Sequence, residues 1–306
     1  MSEHDYYTNI ERPQTAKKLS ILRKYFHVWL TIWSSANSQK WAGKRWYVID
    51  LFAGTGAAHA ADGAEISGSP VVFLEEIETC AERLRNAGIR ITLVLVERDG
   101  PSFDQLNGRV SKFLREHAVI TSVLDVELHN RDCNDWVDEF TAATTVRPTT
   151  PAFIFVDPFG LAIRRSTLDR LTSLPWAPDI LFNYMLDGIK RVYGASVGSS
   201  NRAESNAATL AAYFGEGTSV EAQADIENPE VYARAAFCSR GLRVVAFFMK
   251  WPNKEATQYI LLFACRKPTI VNIMRGIYAK EMVDLYGQPS LFGVEEHLAS
   301  IEVIEP

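Results

Sequence analysis

The sequence predicts an α/β protein built on a mostly parallel, doubly wound sheet, with an antiparallel C-terminal hairpin and a helical insertion. Three observations carry that prediction. Short apolar, β-branched runs alternate with helical segments from Trp46 to Tyr184. One run, Ala152–Val156 (AFIFV), is apolar at every position, as a central strand covered on both faces must be. A glycine-rich turn, Gly54-Thr55-Gly56, follows the first of these runs directly, where such sheets open a ligand cleft.

At 306 residues and 47% hydrophobic, the chain is long enough for one large core carrying an insertion. The expected division is a helical segment, 1–45, packed on a core domain, 46–306, with the insertion at about 194–240. The longest apolar runs are strand-length, too short to cross a membrane. The segment MSEHDYYTNIERPQ has acids and no apolar h-region, so a secretory signal is not expected and a cytoplasmic location is. Cys80, Cys133, Cys238 and Cys265 are scattered without a CxxC pair and read as free buried thiols. The six histidines lack ligand spacing, so no metal site is expected.

Thr15 is placed to cap a first helix running to about Trp33. Leu19, Leu22, Phe26, Trp29, Leu30 and Trp33 recur at helical spacing as its buried stripe. Trp46–Leu51 reads as the first strand, and Ser69–Leu84 as a helix after a polar loop, Ala57–Ser67. Ile89–Val96, Val123–Leu128, Ala152–Val156 and Ile180–Tyr184 are the next strands. Helices over Ser102–Glu116, Asn134–Phe140 and Thr167–Leu174 separate them. Modest helices near Ala203–Phe214 and Pro229–Ser239 belong to the insertion. Leu242–Met249 and Tyr259–Cys265 form the hairpin, and Thr269–Met282 is amphipathic, with a weakly defined tail.

Charge is unevenly placed. The net charge is −5, against a surface coated in phosphate-binding groups, yet eight Lys/Arg and no acid lie between Arg12 and Trp46. A solvated face and a phosphate-facing one are both open for these residues. The candidates for nucleic-acid contact are Lys17, Arg23 and Lys24, with Arg164 and Arg165 further on.

The chemistry gathers at strand ends. The first strand ends in Asp50, followed by Leu51-Phe52-Ala53-Gly54-Thr55-Gly56, a turn where backbone approaches a nucleotide-like ligand closely. The second ends at Glu97, whose carboxylate can accept from both ribose hydroxyls of an adenosine. Asp132, in HNRDCNDW, can accept from an adenine amino group while the Cys133 N–H donates to the ring. The fourth strand ends Asp157-Pro158-Phe159-Gly160, an acceptor, a rigid turn and an aromatic.

DLFAGTG, Gly68-Ser69-Pro70 opening a helix, VERD, RDCNDW and FVDPFG together resemble the Rossmann-fold, class I S-adenosylmethionine-dependent methyltransferases. More narrowly they resemble the three-Cys-motif partner (TcmP) family. Lys18 and Tyr25 in KLSILRKYF, Asn183 in DILFNY and the strand Tyr259–Pro268 extend the likeness. A more distant likeness is to ribosomal RNA adenine-N6 methyltransferases. The resemblance implies a cofactor, S-adenosylmethionine, held by Lys18, Asp50, Phe52, Ala53, Gly54, Gly56, Ser69, Glu97, Arg98, Asp132, Cys133 and Asp157. It also implies Asp157, Pro158 and Phe159 as the catalytic group, with methyl passing to a nitrogen of an RNA or DNA base. Where amine-methylating enzymes carry Asp/Asn-Pro-Pro-aromatic, this chain reads DPFG, lacking the second proline and bringing the aromatic one place forward.

Two other readings stand beside this one. A cofactor-binding partner subunit of a three-Cys-motif protein, altered in catalysis, is suggested by DPFG. An NAD-dependent oxidoreductase is disfavoured because Gly54-Thr55-Gly56-Ala57-Ala58-His59 lacks the third small residue.

Overall fold

The computed structural model describes residues 13–35, 45–60, 63–143, 151–175, 178–197, 202–215, 226, 228–250, 257–286 and 301–306. The expectations placed on residues 1–12, on the basic stretch 36–44 and on the hairpin turn at 251–256 lie outside them.

A helix, α1 (Pro13–Ser35), precedes the sheet. It is already helical at Pro13, two residues before the expected Thr15 cap, because proline's fixed φ suits a first helical turn. Its stripe is buried as expected except at Trp33, which is only partly covered; Leu22, Phe26 and Leu30 are fully inaccessible, and Ile21 and Tyr25 are buried too, so a wider arc faces the core. Tyr25 serves packing: its hydroxyl donates to Asp179 Oδ2 at 2.8 Å. Asp179 begins its strand, at the end remote from the glycine turn.

The strands are β1 (Arg45–Asp50), the short pair β2 (Ala57–His59) and β3 (Glu65–Ser67), β4 (Arg90–Glu97), β5 (Leu124–Asn130), β6 (Ala152–Val156), β7 (Asp179–Tyr184), β8 (Arg243–Lys250), β9 (Thr257–Cys265) and β10 (Glu302–Ile304). Eight of them form one sheet in the order β10-β8-β9-β7-β6-β1-β4-β5. From β7 through β6, β1 and β4 to β5 every neighbouring pair is parallel. The strand β9 lies antiparallel between β7 and β8. This is the expected mostly parallel, doubly wound Rossmann-like sheet with an antiparallel C-terminal hairpin. The chain leaves β1 toward β4 and β5, then crosses back to β6 on its other side. The resulting switch point, between β1 and β6, is where such sheets open a crevice.

Alternation along the strands divides the core in two. Phe153 and Phe155 face one layer, with Phe26, Trp29 and Phe73, while Ile154 and Val156 face the other. The first layer is formed by α1, α2 (Ser69–Thr79), α4 (Gly100–Glu116) and α10 (Pro268–Tyr286). On the second lie α5 (Cys133–Ala143), α6 (Arg165–Thr172), α7 (Leu186–Ser196), α8 (Ala203–Phe214) and α9 (Pro229–Ala236). The insertion helices α8 and α9 bury Tyr213 and Tyr232 against Phe182 of β7, with Phe214 packed on both tyrosines, so they share that core.

Three local expectations are corrected, and one helix not anticipated from the sequence is added. The helix over 69–84 breaks at Cys80, where α2 gives way to α3 (Ala81–Asn86). The loop 57–67 is instead the hairpin β2–β3, whose Asp-Gly turn signal sits inside a run of small residues that hid it. The helix α7 follows β7 at once, and β10 pairs with β8 from the tail read as weakly defined. No described helix is long and apolar enough to cross a membrane.

Candidate functional site

The carboxyl ends of β1, β4 and β6 meet at the switch point, and β5 lies beside β4. The site is assembled there from backbone as much as from side chains. Gly54 and Gly56 take φ of +58° and +77°, the left-handed region that glycine tolerates. Gly68 is needed for a different reason, closeness: a Cβ there would sit 2.7 Å from the Gly56 carbonyl carbon. Its N–H donates to the Gly56 oxygen at 3.0 Å, locking the start of α2 onto the glycine turn.

Glu97 reaches across from β4 and accepts from the Gly54 N–H at 2.9 Å and from the Asp99 N–H at 2.7 Å. Its remaining lone pairs are available to hydroxyl donors in the cleft. Asp50 is fully buried, and its Oδ1 accepts from the Phe52 N–H at 3.1 Å. Burial pushes its carboxyl up to about 7, while the Ser69 hydroxyl and Phe52 N–H pull it back and the charges of Asp157 and Glu97 push it further up. Among the described residues Asp50 Oδ2 has no hydrogen-bond partner of ordinary geometry.

Asp157, one residue beyond β6, is gripped on both oxygens. The Lys18 ammonium of α1 pairs with Oδ2, and Asn183 Nδ2 of β7 donates to Oδ1 at 2.6 Å. Asn183 is 2% exposed, and its Oδ1 is a second buried polar atom at the site without a partner among the described residues. Lys18 lies 5.8 Å from the centre of the Tyr259 ring. Beyond Asp157, Pro158 is buried, whereas Phe159 is 60% exposed, an unusual position for a ring that size. Asp132 accepts from the Asn134 N–H at 2.8 Å, with Arg98 Nη1 3.8 Å from its other oxygen. The Cys133 thiol is pushed up to about 12 by burial and by Asp132, which removes it as a nucleophile.

The structure thus gathers Lys18, Asp50, Ser69, Glu97, Asp132 and Asp157 with the glycine turn at one edge of the sheet. The basic candidates are placed otherwise. Lys17 and Lys24 both pair with Glu281, which is 2% exposed, Lys17 at 2.7 Å. Arg23 pairs with Glu75 and, at 3.0 Å, with Glu76. Arg165 bonds Asp169 at 3.1 Å and the Ala235 carbonyl. Arg164 is exposed at the start of α6. Sequence reasoning missed Asn134, a short polar residue in the first turn of a helix, whose only local signal is the preceding Asp132. No cluster of three or more His, Cys, Asp or Glu suited to a metal occurs among the described residues.

No family model and no curated protein matches this sequence. Solved structures similar in outline include the Legionella pneumophila protein LPL1258, at 12% identity over 89% of this chain and 92% of that one, TM-score 0.46. Trm1 from Pyrococcus horikoshii, in complex with S-adenosyl-L-methionine, is 12% identical over 87% of this chain and 58% of its own, TM-score 0.40. The O-methyltransferase TomG from Streptomyces achromogenes, also holding that ligand, is 10% identical over 87% and 100%, TM-score 0.35. Likeness at that level carries no assignment of substrate or residue roles, and the site's own geometry is what speaks for this chain.

Proposed function

We propose that this chain is an S-adenosylmethionine-dependent methyltransferase acting on a nitrogen of an unpaired nucleic-acid base. The observation that carries the reading is the convergence of Asp50, Glu97 and Asp157 around a glycine turn, with Asp50 Oδ2 and Asn183 Oδ1 buried there and without a hydrogen-bond partner among the described residues. Three carboxylates and an orphan amide oxygen form an acceptor-rich site, suited to a cationic ligand bearing hydroxyl and ammonium donors. Such a ligand supplies an electrophilic methyl group on a sulfonium.

The residues would then divide the work. Glu97 holds ribose hydroxyls, Asp132 and the Cys133 N–H address the adenine edge, and Asp50 offsets the ligand's positive charge. Ser69, Phe52, Ala53 and Arg98 complete the walls. Lys18 and Asn183 fix Asp157, and the lone pairs they leave free, with the Pro158 carbonyl, can accept from a target amine. Phe159 offers a face for a base that is single-stranded or flipped out. With Lys17, Arg23, Lys24 and Arg165 held by internal acids and carbonyls, Arg164 is the residue left to meet a phosphate.

The test is direct. S-adenosylhomocysteine should raise the melting temperature and NAD should not; the reverse result sinks the reading. Phe159→Ala should then raise KM for a single-stranded oligonucleotide by about 5- to 150-fold, the worth of one stacked base, with cofactor affinity unchanged. An unchanged KM removes the base from the proposal.

A second reading is favoured by the grip on Asp157, which leaves its carboxylate partly spent, and by DPFG. In it the chain is the cofactor-binding partner of a three-Cys-motif protein and transfers nothing. Tight S-adenosylhomocysteine binding with no tritiated methyl reaching RNA, DNA or such a partner would select it.

A further inference from the structure

Asn134 sits in the first turn of α5 with 2% of its surface exposed, and its amide is hydrogen-bonded at every position it has. Nδ2 donates to Asp132 Oδ1 at 2.9 Å and to the Ala162 carbonyl at 2.9 Å. Oδ1 accepts from the Arg164 N–H at 2.9 Å and from the Thr167 hydroxyl at 2.6 Å. These partners fix the orientation of the amide, because exchanging N and O would set donors against the Arg164 N–H and acceptors against the Ala162 carbonyl. Thr167 is itself 1% exposed, so its bond to Asn134 is fully buried, while the other three lie partly buried.

The four bonds join two separate pieces of the site. Asp132 ends the β5 side, where the adenine is proposed to lie. Ala162 and Arg164 belong to the segment after Asp157-Pro158-Phe159-Gly160, which reaches α6 only at Arg165. Between its strand and its helix that segment has no other side-chain anchor of this completeness among the bonds described. Aspartate would keep Asn134's size but lose both donors and set a second carboxylate against Asp132. Glutamine would reach too far, and serine would offer one donor for two acceptors.

We propose that Asn134 is the positioning residue that couples occupation of the Asp132 side of the cleft to the order of the acceptor segment, 158–164. The inference rests on the methyltransferase reading, and it adds that cofactor binding readies the acceptor side through a single amide.

Hydrogen exchange on the full chain, with and without S-adenosylhomocysteine, tests it. In the wild type, ligand should slow exchange of the amides at 159–164 by about 5-fold or more, the usual size of a site-to-site coupling. In Asn134→Asp, at saturating ligand, that slowing should vanish although ligand still binds. Thr167→Val, which removes one of the four bonds with little change in shape, should leave part of it. A merely structural role would lower the melting temperature and speed exchange of the ligand-free segment, yet preserve the ratio between free and bound. Equal slowing in wild type and Asn134→Asp overturns the proposal, as does wild-type binding with no slowing at 159–164. No S-adenosylhomocysteine binding by the wild type overturns the methyltransferase reading itself, and this inference with it.

Discussion

Gly68→Ala is expected to weaken S-adenosylhomocysteine binding by about 100-fold, the scale on which a displacement near 1 Å degrades a site. The cause is space alone. Gly68 has an ordinary φ of −74°, so alanine is conformationally acceptable there. Its Cβ would nevertheless lie 2.7 Å from Gly56 C, 2.9 Å from Ala57 N and 2.9 Å from Gly56 O. All three are backbone atoms of the glycine turn, which no rotamer change can move aside. Either the turn or the start of α2 must shift, breaking the 3.0 Å bond from Gly68 N to Gly56 O. Overpacking of this kind costs about 1–3 kcal/mol, so the variant should still fold, with a melting temperature lower by several degrees. Gly54→Ala is the informative contrast, since nothing lies within 4 Å of its Cβ and the penalty there is a strained φ of +58°. Calorimetric titration of both variants checks the point; Gly68→Ala binding as tightly as wild type would refute it.

Asp50→Asn should weaken S-adenosylmethionine at least about 30-fold at pH 8, the lower end for removing one member of a desolvated charge pair. The same substitution should abolish a pH dependence that the wild type shows. The sign follows from the carboxyl's position near 7, raised by burial above its ordinary 3.8. The ligand-free fold prefers Asp50 protonated, so ionising it costs stability as pH rises from about 4 to 7. A cationic ligand prefers it ionised. Binding should therefore release a proton below pH 7, and affinity should rise about tenfold between pH 6 and pH 8 before levelling off. Fluorescence titrations across that range decide it, and an affinity that falls with rising pH would count against Asp50 facing the cation.

Much of this edge of the molecule was legible because each strand announces its own end. An apolar run cannot continue into a charge, so Asp50, Glu97 and Asp157 mark the places where β1, β4 and β6 give out. What joins those ends was not legible. Lys18 meets Asp157 across 139 positions and Asn183 meets it across 26, pairings that only the strand order creates. The basic face of α1 misled in the same way. Lys17 and Lys24 look solvated from their own helix, and Glu281, on the helix that closes the layer, pairs with both. Asn134 escaped notice because an asparagine near a helix start ordinarily satisfies local backbone, whereas this one bonds a segment about thirty residues away.

The position of β9 carries a consequence for how the molecule is made. It separates β7 from β8, although both are synthesised before it. Until the chain has been translated through Cys265, β7 stands as an open strand edge, fully buried in the finished protein and rich in Ile180, Leu181 and Phe182. An unpaired apolar edge is what other chains add to. The interval between translation of Tyr184 and of Cys265 is therefore when this protein is most exposed to misassembly on the ribosome. Co-translational chaperone binding should concentrate there.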